Sequence, residues 1–60
     1  MTETFEGVAG PEFSVTVAEF DSGIALVANE QFRLARVVLD REAAIRLADH
    51  IYEVCKWQAR

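Results

Sequence analysis

Few side chains in this sequence stand where chemistry is done. His50 and Glu53 are three apart on one predicted helix, with Arg46 one turn earlier. A His-x-x-Glu pair sets two metal ligands side by side on a helix. A metal centre needs a second such pair or a His-Glu-x-x-His pattern, and the chain has neither. His50 and Cys55 are its only soft ligands, so no metal is expected, and His50 reads as an exposed residue among charged helix neighbours. Cys55 falls in the apolar stripe of that helix and is expected to pack as a small buried hydrophobe. Ser14 and Ser22 have no base at a predictable position, which leaves a Ser-His-Asp arrangement without support. Gly7-Val8-Ala9-Gly10 lacks both the Lys-Ser/Thr of a phosphate loop and its strand-to-helix setting. No catalytic residue and no cofactor are expected, and the chain does not read as an enzyme.

The two large aromatics near the end of the chain suggest contact rather than catalysis. Tyr52 lies on the margin of the apolar stripe. Trp57 falls on the polar side, flanked by Lys56, Gln58 and Arg60. Such aromatics anchor protein interfaces. They also fold over the end of a sheet, and both readings stay open at this point.

The elements that position these residues follow from pattern. Residues 1–11 mix Thr, Glu and Gly and end in the turn signal Gly10-Pro11; they read as a flexible leader, with a short edge strand as the alternative. Phe13 to Phe20 alternates β-branched and polar residues and predicts a strand. Asp21-Ser22-Gly23 predicts a three-residue loop with Gly23 in the left-handed position, which sets Phe20 opposite Ile24. Ile24–Ala28 is the return strand, Asn29-Glu30-Gln31 a second tight turn, and Phe32–Leu39 a third strand. Asp40 is an N-cap, and a helix runs from Arg41 to about Gln58 with Ala44, Ile45, Leu47, Ala48, Ile51, Tyr52, Val54 and Cys55 as its apolar side. The expected architecture is α+β: a three-stranded antiparallel meander and one C-terminal amphipathic helix, βββα, with residues 12–60 as a single domain.

Length and composition bound what this domain can be. Sixty residues with 52% hydrophobic content make one domain with little interior, since a chain of this size buries only about 60% of its unfolded surface. One cysteine excludes an internal disulfide and fits a reducing compartment, so a cytoplasmic setting is expected. No apolar run approaches the roughly 18–20 residues that span a bilayer. The net charge is −4, distributed as about −6 over residues 1–30 and +2 over residues 31–60. That balance lacks the basic excess of a protein that lives on phosphate backbones.

The strands are the strongest pointer to a partner. In the expected register, both sheet faces carry apolar side chains, and one helix covers one face. Phe13, Val15 and Val17 then share one face, and which of the two faces the helix covers stays open. A large open apolar face is rare in a soluble monomer, which predicts a homodimer. Fold-back of residues 1–11 over that face is the alternative. Phe13, Val15, Val17, Tyr52 and Trp57 are the expected partner-binding residues. The function this suggests is a small regulatory or inhibitory protein-interaction module of bacterial or phage origin. A dimeric nucleic-acid binder using Arg33, Arg36, Arg41 and Arg46 is the alternative.

The run Val38-Leu39-Asp40-Arg41-Glu42-Ala43-Ala44-Ile45-Arg46-Leu47-Ala48, placed after a hairpin, resembles short proteins of GC-rich bacteria and their phages. Strands around an acidic-Gly turn and a helix opening on Asp-x-Glu-Ala are also similar to HicB-type antitoxins, although the Pro-Gly segment expected before the third strand is missing. That likeness implies an antitoxin-like protein partner. The βββα order is further similar to DNA-binding domains that read through a sheet, which carry Arg and Lys across one face. Here only Arg33 and Arg36 are available, and alternation points them to opposite faces.

Overall fold

The computed structural model describes residues 1–58. It shows an α+β chain: four strands, β1 (Thr2–Gly7), β2 (Gly10–Phe20), β3 (Gly23–Glu30) and β4 (Arg33–Leu39), then helix α1 (Arg41–Gln58). The strands form one antiparallel meander in the order β1-β2-β3-β4. The sequence predicted the meander and the helix but only three strands. The fourth, β1, comes from the segment expected as a leader, and β2 begins at Gly10 rather than Phe13. Every residue of β1 is exposed, and Glu3 and Glu6 give it the polar character of a sheet edge. It widens the sheet sideways and covers neither face.

Both later turns are shorter than expected. Phe20 pairs with Gly23, and Glu19 with Ile24, so Asp21-Ser22 is a two-residue loop. Glu30 pairs with Arg33, which leaves Gln31-Phe32 as the second loop; Asn29 and Glu30 belong to β3, and Phe32 is a fully exposed loop residue. Each two-residue loop puts positive φ on its first residue, 53° at Asp21 and 55° at Gln31. Such turns match the right-handed twist of paired strands. Gly23 does not hold the left-handed position expected of it. It lies in the strand, and a Cβ there would come 2.6 Å from the backbone oxygen of Leu39, so its lack of a side chain serves close approach.

Shortening the first loop by one residue reassigns every side chain of β2 relative to β3. On one face the register now collects Phe5 of β1, Phe13, Val15 and Val17 of β2, Ile24, Leu26 and Ala28 of β3, and Ala35, Val37 and Leu39 of β4. Charge is confined to its margins, at Glu3, Glu19, Glu30 and Arg33. The opposite face mixes Thr4, Ser14, Thr16, Asn29 and Arg36 with Ala18, Phe20, Ala25, Val27, Leu34 and Val38. On that far face Thr4 and Thr16 share a hydroxyl hydrogen bond of 2.9 Å. The Arg36 guanidinium lies 5.3 Å from the centre of the Phe20 ring, a cation–π contact that spans β3. Ala25, in register between Ala18 and Val38, is 6% exposed and is the one buried residue among those described.

Helix α1 forms as predicted. Ala-rich residues favour it, Glu42 complements the dipole in the first turn and Lys56 in the last. Asp40 caps it. The Ala43 amide donates to Asp40 Oδ1 at 2.8 Å, and the Ala44 amide donates to the Asp40 carbonyl at 2.9 Å. One residue therefore serves as both the cap and the whole connection from β4.

Candidate functional site

The apolar face of the sheet and the helix lie on the same side, but they do not close on each other. α1 contacts β3 and β4, and no described helix residue is buried. Two open clefts flank it. The larger, about 980 Å³, lies between α1 and the far ends of β3 and β4, with Leu26, Ala28, Ala35 and Val37 as its floor and Arg46, Asp49, His50 and Glu53 along the helix wall. The smaller, about 610 Å³, lies toward β1, with Phe5, Val17 and Ile24 facing Ala44, Ile45, Ala48 and Ile51.

Leu47 lines both clefts and marks the side of α1 turned toward the sheet. At about 100° per residue, the apolar arc Ala44-Ile45-Ala48-Ile51-Tyr52-Cys55 is centred about 100° around the helix from Leu47. Four of its six residues, Ala44, Ile45, Ala48 and Ile51, line the smaller cleft, and Tyr52 and Cys55 lie outside it. Ile45, Ile51 and Tyr52 are 58%, 54% and 65% exposed.

The partner-binding residues expected from sequence are placed as follows. Val15 and Val17 lie on the helix side, and Phe13 shares their side by register. The near face is the more apolar of the two, while Phe20, Leu34 and Val38 stay 43%, 74% and 45% exposed on the far one, so apolar surface is open on both sides. Tyr52 is on the open arc, with the Lys56 ammonium 5.7 Å from its ring centre. Trp57 is 68% exposed near the helix end, and Arg60 beside it in sequence lies outside the described residues. Sequence reasoning missed Phe5, Leu26, Val37 and Leu47, which line the clefts. Phe5 is visible only once Thr2–Gly7 is recognised as a strand, Leu26 and Val37 only with the correct loop lengths, and Leu47 is ordinary in an apolar stripe.

Residues weighed for chemistry are also located. Cys55 is exposed, not buried, because the arc that carries it is not packed on the sheet. His50 and Glu53 both line the larger cleft, yet among the described residues no group of three or more His, Cys, Asp or Glu is placed to hold a metal ion. Ser14 and Ser22 lie on the far face and in the first turn. Arg33 and Arg36 take opposite faces of β4, and Arg36 is engaged with Phe20. Arg46 is in the larger cleft and Arg41 in the smaller, so the four arginines make no common surface. No helix among the described residues is long and apolar enough to cross a membrane.

The molecule is correspondingly open. Its solvent-accessible surface is 5354 Å², against about 3,900 Å² for a compact monomer of its mass. Its radius of gyration is 12.6 Å, against about 10.4 Å for a compact chain of its length. No protein-family model, curated protein or solved structure matches the chain, so its function is read from this geometry.

Proposed function

We propose that the chain is a small, cytoplasmic, non-enzymatic protein-interaction module, regulatory or inhibitory in role, that binds a protein partner through the apolar clefts between α1 and the sheet. The carrying observation is the separation of helix from sheet: apolar side chains of both elements line the same open space and bury almost nothing against each other. Covering such surface contributes about 25 cal/mol per Å², enough over several hundred Å² to offset the cost of association. An antitoxin-like or phage-encoded modulator fits this size and the acidic net charge.

The test is quantitative affinity capture from a bacterial lysate with three immobilised chains: native, the arc variant Ile51→Glu and the far-face variant Val27→Thr. A protein held by the native chain and Val27→Thr, and lost from Ile51→Glu, supports the reading, whether that protein is the chain itself or another. Capture that ignores Ile51→Glu, or no capture at all, overturns it.

A further inference from the structure

Resting on that reading, we propose that the occupant of the clefts is a second copy of this chain, seated as a two-fold dimer in which the apolar arc of each α1 packs on its counterpart across the open side of the smaller cleft.

Area is the first argument. The surface in excess of a compact monomer is about 1,400 Å² per chain. A stable interface needs about 800 Å² per partner, and obligate homodimers use roughly 1,000–2,500 Å². The surplus of this chain falls inside the obligate range. It is of the size one further copy removes and larger than a short peptide covers.

Self-complementarity is the second. A two-fold contact uses the same patch on both copies. Apart from Arg41, which also lines the cleft, the arc and the floor beside it form one apolar surface, from Phe5, Val17 and Ile24 to Ala48 and Ile51. Between Ala44 and Cys55 no charged residue falls in the arc. Ala44, Ala48 and Cys55 are small enough to let two helices approach to the usual 8–10 Å, while Ile45, Ile51 and Tyr52 supply the bulk between them. Running the helices antiparallel sets Ala44 near the partner's Cys55 and Ala48 near the partner's Ile51. The helix flanks carry both signs, Arg46 and Lys56 beside Asp49 and Glu53, so a related copy meets no uniform charge.

The rotation of α1 is the third. A lone helix serving only its own sheet turns its apolar arc toward that sheet. Here Leu47 is nearest the sheet, and Ile45 and Ile51, which line the smaller cleft, stay more than half exposed, as does Tyr52, so a partner on the open side would cover them.

Sedimentation equilibrium of the full chain from 1 to 100 µM, paired with the rate at which Cys55 reacts with a thiol reagent, tests this. Cys55 is exposed in the single chain and central in the proposed contact. The expected result is twice the 6.7 kDa chain mass, with thiol reaction slowing at least tenfold as the dimer fills. Ile51→Glu should weaken association at least a hundredfold and restore fast thiol reaction, while Val27→Thr leaves both unchanged. Where Ile51→Glu loses its circular dichroism, the thiol rate of the native chain decides. A folded monomer at 100 µM overturns the second copy and leaves the clefts to a different protein, which the capture experiment detects. A dimer whose Cys55 reacts as fast as in the dilute chain overturns it too, because the copies then meet elsewhere.

Discussion

Phe20 stands opposite Gly23 across the β2–β3 hairpin, one residue short of Ile24. That pairing decides how the molecule presents itself. It puts Val15 and Val17 beside Ala28 and Leu26 on the helix side and leaves Thr16 and Ser14 with Val27 and Asn29 on the other. A one-residue change of register exchanges the β2 side chains that share each face with β3.

Gly23 is held to its identity by that geometry. A Cβ at this position would lie 2.6 Å from the Leu39 backbone oxygen and 3.4 Å from Val38 Cγ1. Backbone cannot yield as a flexible side chain does, so Gly23→Ala should destabilise the fold by about 1–3 kcal/mol. Ser22→Ala, in the adjacent loop, should stay within about 0.5 kcal/mol of the native chain. Urea denaturation of the two variants side by side checks this, and equal midpoints would refute the steric account.

Gln31 carries a conformational cost that Asp21 largely escapes. Both have φ near 55°, but Asp adopts the left-handed region far more readily than Gln. A non-glycine residue pays roughly 1–2 kcal/mol there, and glycine returns part of the gain as unfolded-chain entropy. Gln31→Gly should therefore stabilise the chain by about 0.5 kcal/mol, and Gln31→Ala should not. Thermal unfolding of both variants reads the difference; a lower melting temperature for Gln31→Gly would count against it.

Glu19 is tied to the amino terminus. The Met1 ammonium donates to Glu19 Oε1 at 2.7 Å. This hydrogen bond first, and the positive charge second, hold the Glu19 carboxyl below the ordinary glutamate range. With the folded value lowered, the contribution of the pair is present above the ordinary glutamate range and is lost as pH falls through the lowered value. Both groups are well exposed, so the effect is local and overall stability should barely respond. Acetylating the amino terminus should raise the Glu19 titration midpoint toward the ordinary range, read from its side-chain carboxyl carbon by NMR. An unchanged midpoint would show that the contact is not kept in solution.

Much of the fold is legible from local chemistry. The alternation Val15-Thr16-Val17 declares a strand, and Asp40 before Arg41-Glu42-Ala43-Ala44 declares a helix start, because propensity and capping act over a few neighbouring residues. Three features are not legible in that way. Thr2–Gly7 holds one large apolar residue, Phe5, among Thr and Glu, too little alternation to declare a strand. Asp21-Ser22-Gly23 suits a three-residue loop as well as a two-residue one, and the choice between them rests on packing across the whole sheet. The turn of α1 about its own axis depends on how one linking residue launches it, which no periodicity encodes. The candidate surface inherits these errors: its apolar character was readable, its side of the sheet was not.

Asp40 is the sole residue between the last strand and the helix, and it belongs to neither ladder of the sheet. No inter-strand hydrogen bond therefore has to break for α1 to change its angle. The four strands make a plate, and the helix joins it at one corner through a single residue. The sheet's own hydrogen bonds therefore do not set the width of the space between them.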